Sequence, residues 1–288
     1  MAQQNVSSNK KIPGCITQKD SNYRVIRLKI LAGNVDCEQM EKIMDIARRY
    51  GRGYISLTTR LNIEIPWVHA DMLEAALGEL VNAGFVVGST GPTVRAIVSC
   101  KGTVCSHGLG DTQELCRRLD KVYFGTSTPS KFKIGIVGCP NNCGKAQLND
   151  LGFMGQCIPE LDADKCAECE LCISVCKVRA IERTDEGIRI DRSKCVNCGT
   201  CVQQCATGAL SVESQGFAVF LGGKFGRRYK IGQRIGDLYT MDEIVELTGK
   251  ILDYYRANAM PGERFGDMIE RLSLDEVAVG LGMAPKQE

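Results

Sequence analysis

The sequence predicts an α+β protein in three parts: a half-domain of strands and helices over residues 1–91, an α/β part over 92–157 and 213–288, and a cysteine-rich insert over 158–212. Three observations predict it. The apolar patterns of the first part run strand, helix, strand, strand, helix, strand, the ferredoxin-like order. A substantial apolar segment, GFAVFLGG, resumes after the insert, so the insert interrupts a domain rather than ending it. Within the insert, one cysteine spacing occurs twice.

Taken in order, YRVIRLKIL is a strand pattern rich in β-branched and large apolar residues. Asp36, with Gln39 three residues on, reads as a capping box, and Met40, Ile43, Met44 and Ala47 follow at helical spacing. GYISLTT and LNIEIP read as paired strands, and Met72, Leu73, Ala76, Leu77 and Leu80 mark a second helix. In the α/β part, β-branched runs end at Cys100 and before Cys139, a helix covers 112–123 with Cys116 on its apolar stripe, and a helix over 241–256 carries Ile244, Val245, Ile251 and Leu252 on one face. Each cysteine run of the insert is followed by short strand-like pieces, RAIERT with IRIDR and then GALSVE.

At 288 residues and 44% apolar content the chain buries a sizeable core. A net charge of +2 argues against an extended nucleic-acid surface. The N-terminus MAQQNVSSNKKIPGC lacks an apolar leader core, and no run reaches the length of a membrane span, which predicts a cytoplasmic protein. In a reducing compartment the 16 cysteines read as metal ligands rather than cross-links. With His69 and His107 the only histidines, histidine-ligated zinc and a bis-histidine haem are nearly excluded.

KCAECELCISVCK places Cys166, Cys169, Cys172 and Cys176 as C-x2-C-x2-C-x3-C, and KCVNCGTCVQQCA repeats it with Cys195, Cys198, Cys201 and Cys205. This is the bacterial two-cluster ferredoxin pattern, in which the fourth cysteine of each run ligates the other 4Fe-4S cluster. Cluster one then takes Cys166, Cys169, Cys172 and Cys205; cluster two takes Cys195, Cys198, Cys201 and Cys176. Lys177 and Ala206 stand where that pattern has proline, which shapes a turn and ligates nothing. The alternative, two zinc sites, calls for C-x2-C pairs with a longer spacer. Such a module carries electrons; the chemistry lies in what it feeds.

VGCPNNCGKAQ sets a second problem, because Cys139 and Cys143 occupy a turn after a strand. Half a metal site, a redox dithiol and two unrelated loop residues all suit that pair; a radical-SAM site does not, since Ala146 stands where a third cysteine is required. Upstream, IVSCKGTVCSHGLGD offers Cys100 and Cys105 at another strand end, so two loops are able to supply four thiolates to one cluster.

CKGTVCSHGLGDT together with KFKIGIVGCPNNCGKAQLNDLGF, preceded by YGRGYISLTTRLNIEI and followed by YRANAMPGERFGDMIERL, resembles the sirohaem-dependent sulfite and nitrite reductases over about residues 22–272. The insert and short length are most similar to the catalytic subunits of anaerobic sulfite reductases and related dissimilatory-type proteins. The resemblance implies that Cys100, Cys105, Cys139 and Cys143 hold a 4Fe-4S cluster and that Cys143 also bridges to the sirohaem iron. The C-x4-C spacing of Cys100 and Cys105 is one residue shorter than the family's, so the loop must be tighter. It further implies that Arg60, Arg95, Lys131 and Lys133 hold the substrate oxyanion and supply protons; Lys131 and Lys133 share one face of a strand by its two-residue period. For the carboxylates of sirohaem, GGKFGRRYKIGQR offers Lys224, Arg227, Arg228, Lys230 and Arg234.

The expected activity is six-electron reduction of sulfite to sulfide, with three 4Fe-4S clusters and one sirohaem as cofactors. Nitrite reduction to ammonia uses the same pocket, and an electron-transfer subunit holding clusters without sirohaem is the alternative from another class. No dinucleotide fingerprint occurs, so the resemblance implies a separate flavin or iron-sulfur donor protein. Because larger relatives contain two such repeats, a homo- or hetero-oligomer is expected.

Overall fold

The computed structural model describes residues 12–88 and 90–283; the stretch read for a leader lies, up to residue 11, outside them. β1 (Cys15–Thr17), β2 (Tyr23–Leu28), β3 (Ser56–Leu57) and β4 (Ile63–His69) form an antiparallel sheet in the order β1-β2-β4-β3, with α1 (Cys37–Tyr50) and α2 (Leu73–Asn82) in the connections. Alternation explains the strands: Ile26 and Leu28 of β2 and Ile63 and Ile65 of β4 are buried against Ile43 and Ile46 of α1 and Ala76 and Leu80 of α2. Each large apolar side chain taken from water in this way stabilises the fold by about 1.5–3 kcal/mol. The capping box opens α1, with the Gln39 amide donating to Asp36 Oδ1 at 2.7 Å and the Asp36 amide to Gln39 Oε1 at 3.2 Å. The strand expected after α2 shrinks to one bridge, Val87 to Leu28. The sequence turns there into GSTGPT, and Gly91 has φ +82°, so the ladder stops.

The second sheet has the order β11-β10-β7-β6-β5, made from β5 (Val98–Ser99), β6 (Ile134–Val137), β7 (Leu151–Leu161), β10 (Leu210–Leu221) and β11 (Gln233–Tyr239). β5, β6 and β7 are parallel; β7, β10 and β11 are antiparallel. α3 (Thr112–Tyr123), α6 (Met241–Asn258), α7 (Phe265–Leu272) and α8 (Leu274–Gly280) cover the sheet. Leu115 and Leu119, Ile134 and Ile136, Phe153, Val219, Ile251 and Tyr255 make a continuous core. Cys116 lies inside it, fully buried, as its helical position indicates.

Between β7 and β10 stand α4 (Leu171–Val175), β8 (Ile181–Thr184), β9 (Gly187–Ile190) and α5 (Thr200–Gln204). GALSVE and GFAVFL, read separately in the sequence, are one twelve-residue strand, β10, paired with the eleven residues of β7. The register shifts between Val212 and Ser214, a bulge at Glu213 that bends the ribbon where it leaves the main sheet. Among the described residues no helix is long and apolar enough to cross a membrane.

Candidate functional site

The two strand-end cysteine pairs meet. Cys100, Cys105, Cys139 and Cys143 all line one cavity of about 460 Å³, roofed by Ala32, Thr59 and Leu61 from the N-terminal part. Glycine permits the meeting. A Cβ on Gly102 would stand 2.9 Å from Gly138 Cα, and one on Gly108 would overlap the Gly102 carbonyl oxygen, so the loops touch backbone to backbone. The Gly138 amide donates to Cys100 Sγ at 3.1 Å and the Leu109 amide to the Gly138 carbonyl at 2.8 Å. The short Cys100–Cys105 loop closes through the Val104 amide on the Lys101 carbonyl, and Thr103 Oγ1 donates to Asp111, the N-cap of α3, at 2.6 Å. In the Cys139–Cys143 turn, Asn142 takes φ +53° and its Oδ1 accepts from the Ala146 amide at 2.9 Å.

Beside it, Arg60, Arg95, Lys131 and Lys133 line a second cavity of about 240 Å³, joined by Arg27 and Asn62. The Thr58–Asn62 turn carries Arg60 in this wall and Thr59 and Leu61 in the roof of the thiolate cavity. Lys131 and Lys133 flank Phe132, which bridges to Val94, so extended backbone sets both on one side. Arg60 is largely committed: it donates to Asn149 Oδ1 at 2.7 Å, the Ala96 carbonyl at 2.8 Å and the Ile134 carbonyl at 3.3 Å, while its buried Nε has no partner among the described residues. Arg27 is steered by Glu64, to which Nε donates at 2.8 Å.

So many cations need a counterion, and Asp150 is buried beneath them. Its carboxylate accepts two 2.8 Å bonds from Arg264 and one of 2.9 Å from the Lys133 amide. Burial pushes Asp150 up, opposed by Arg264. Burial and then Arg60 and Arg264 push the Lys133 ammonium down to about 8, and burial pushes Arg60 down to about 10. Lys133 therefore holds its proton less firmly than an ordinary lysine.

In the insert, Cys166, Cys169, Cys172 and Cys205 line one small cavity, and Cys176, Cys195, Cys198 and Cys201 line another. The repeat is visible in the backbone: positive φ recurs at Glu168 and Asn197, at Glu170 and Gly199, and at Arg179 and Gly208. Each fourth thiolate accepts an amide bond, Cys176 from Ala180 at 3.2 Å and Cys205 from Leu210 at 3.3 Å. Among the described residues no three His, Cys, Asp or Glu side chains crowd together as a single bare ion requires; the thiolates instead stand around spaces.

Comparison with known proteins decides the family. The model of the nitrite and sulphite reductase 4Fe-4S domain matches residues 90–284, and that of the nitrite/sulfite reductase ferredoxin-like half domain matches 16–83. The chain belongs to the nitrite and sulfite reductase family. It is 40% identical over 246 residues to the coenzyme F420-dependent sulfite reductase of Methanocaldococcus jannaschii, covering 85% of this chain but 38% of that protein. It is 32% identical over 177 residues to a subunit of the anaerobic sulfite reductase of Salmonella typhimurium, covering 54% of this chain and 50% of the relative. An uncharacterized protein of M. jannaschii is 31% identical and matched over 92% of both chains. The dissimilatory sulfite reductase I crystal structure shares the fold, with a TM-score of 0.74 at 20% identity over 92% of this chain and 70% of that one.

Within this reductase family fold, the residues missed from the sequence are Arg27, Asp150 and Arg264. The signal of Arg27 was a cation between the buried Ile26 and Leu28 of β2, legible only once that strand is known to edge a cavity. The basic stretch from Lys224 is a hairpin whose base pairs Lys224 with Lys230. It contributes to the lining of neither large cavity. Lys224 is ion-paired with Asp267, and Lys230 lies 3.1 Å from Glu270, both on α7. Arg227 and Arg228 are exposed at the tip, whereas Arg234, half-buried on β11, keeps a buried Nε without a partner among the described residues.

Proposed function

We propose that this chain is the catalytic unit of a sirohaem- and 4Fe-4S-dependent reductase that takes sulfite to sulfide with six electrons. The observation that carries the reading is the adjacency of two cavities, one lined by four thiolates and one by five cations, across the single Thr58–Asn62 turn. The residues present fit the groups: a thiolate set from two glycine-joined loops suits a 4Fe-4S cluster, and the cations around the adjoining cavity, with the buried Nε of Arg60 lacking a partner among the described residues, suit an anionic group. Cys100, Cys105, Cys139 and Cys143 would hold the cluster, Cys143 would also help hold the sirohaem, and the insert thiolates would hold two more clusters. When bound, the coupled pair supplies electrons at the iron that takes the substrate.

The chain's own residues do the rest. Arg27 and Arg95 hold the oxyanion by charge-assisted bonds, and Arg60 is a buried positive charge pinned between both cavities. Lys133 gives up a proton and Lys131, more exposed, refills the site from solvent. Asp150 and Arg264 keep Lys133 in place through its backbone amide. Sulfite is preferred to nitrite because the 40% identical relative is named a sulfite reductase. Electrons come from a separate donor protein through the insert.

Purified anaerobic protein, made in a host that supplies sirohaem, tests this. We expect about thirteen irons, from three cubanes and one macrocycle, an acid-extractable tetrapyrrole and faster turnover with sulfite than nitrite. Clusters without tetrapyrrole would make the chain an electron carrier instead.

A further inference from the structure

Asn149 joins the walls of the two large cavities through one amide. It follows the short helical turn Ala146–Leu148 that leaves the Cys139–Cys143 turn, and it is buried, 5% exposed. Its Nδ2 donates to the Lys145 carbonyl at 3.0 Å and to the Ala146 carbonyl at 3.3 Å, and its Oδ1 accepts from Arg60 Nη1 at 2.7 Å. The amide has one orientation here, because carbonyls only accept and a guanidinium only donates. β6 makes room for it at Gly135, where a Cβ would fall 2.2 Å from Asn149 Nδ2. Lys145 lines the thiolate cavity beside Cys143, and Arg60 lines the cation cavity.

We propose that Asn149 is a positioning residue for the oxyanion: it fixes the guanidinium of Arg60 to the segment leaving the Cys143 turn, and so sets how tightly the cation cavity holds its substrate. The inference rests on the reading of that cavity as the oxyanion pocket. The Ala96 and Ile134 carbonyls both take Arg60 Nη2, whereas Asn149 takes Nη1. Bonds on one nitrogen alone leave the planar group free to swing about it, and a bond on the other nitrogen stops the swing. The local field favours such a swing, since Asp150 attracts the Arg60 charge and Arg95 repels it. The turn itself has less need of the amide. The Lys145 carbonyl also accepts from the Leu148 amide at 3.0 Å, and the Ala146 carbonyl from the Asn149 backbone amide at 3.0 Å, so neither loses its last donor when the side chain is removed. The Asn149 side chain therefore acts on Arg60 more than on the loop.

The test is equilibrium dialysis of sulfite against cofactor-loaded protein with no electron donor present, so that none is turned over, with iron counted and steady-state kinetics run in parallel. Asn149→Ala should raise the dissociation constant and KM about 5- to 10-fold, the size of one lost hydrogen bond, while kcat stays within about twofold and iron content is kept. In an Arg60→Ala background the same substitution should change neither constant, whereas a residue that only shapes the loop adds its own effect. If Asn149→Ala does not fold, Asn149→Ser carries the same expectation, because its hydroxyl is able to donate to the Ala146 carbonyl but stops short of Arg60. An unchanged dissociation constant in a folded variant, or effects that add in the double variant, overturns the proposal. Unmodified protein that binds no sulfite defeats the pocket reading and this inference together.

Discussion

Arg27 and Arg60 divide labour that a sequence shows only as two arginines. Arg60 spends its guanidinium on Asn149, Ala96 and Ile134, while Arg27 is held by Glu64 at the rim of the same cavity. Losing a charge-assisted bond to bound anion costs about 1.5–3 kcal/mol, so Arg27→Ala should lower kcat/KM for sulfite roughly 10- to 100-fold with cofactor content intact. Arg60→Ala should also cost stability, about 2 kcal/mol in chemical denaturation, because two buried carbonyls lose their donor. Equal stability of Arg60→Ala and wild type would show those bonds to be idle. Lys133, the proton source proposed above, should set the pH dependence. Its ammonium, pushed down to about 8, is present below that pH and lost as pH rises through it. The kcat/KM profile, which reports the free enzyme, should fall on its alkaline side near there, and Lys133→Arg, which does not titrate, should abolish that limb while lowering the rate. A limb that persists in Lys133→Arg assigns it to another group.

At the scale of elements, the glycine contact decides whether four thiolates share one space. Gly108→Ala puts a methyl group 1.9 Å from the Gly102 carbonyl oxygen, and no side-chain rotation relieves a backbone clash. The Cys100–Gly108 loop must then open and carry Cys100 and Cys105 out of place, and, on the cofactor set proposed above, iron content with visible absorbance should fall by one cluster's worth. Full iron in Gly108→Ala would mean the loops have slack. Helix starts, by contrast, were legible residue by residue: Asp36 and Gln39 form the box their spacing implies, and Asp36→Ala should lower stability by about 1 kcal/mol. Strand ends were less so. The bridge at Val87 replaced an expected strand because hydrogen-bonding edges are finite, and β1 occupies the rest of that edge.

For the whole molecule, the β7–β10 ribbon is the feature that joins its parts. The same two strands belong to the main sheet at one end and frame the insert at the other, with Leu161 opposite Leu210 where the insert begins. Replacing residues 162–209 with an Asn-Gly turn should therefore leave the main sheet folded, as a hairpin in place of a module. Cooperative melting with retained near-ultraviolet dichroism checks this; an aggregated or molten product would show that the insert is needed to fold the host. The basic hairpin from Lys224 carries the same lesson in charge. Its five cations looked equivalent in the sequence, yet packing against α7 gives Lys224 and Lys230 carboxylate partners and leaves Arg227 and Arg228 in solvent.

Spacing along the chain determined three thiolates of each insert set, because C-x2-C-x2-C is a local geometry that a short loop and helix turn impose wherever they fold, while the fourth comes from the other run. Helix caps and strand alternation were determined the same way. Only the tertiary structure decided what meets across long separations: Cys100 with Cys143 through three glycines, Arg27 with Lys133 around one cavity, and Asp150 beneath them both. Side-chain periodicity says which face of an element is apolar, but the partner of a buried charge is fixed by how sheets and loops stack, and no local pattern encodes that.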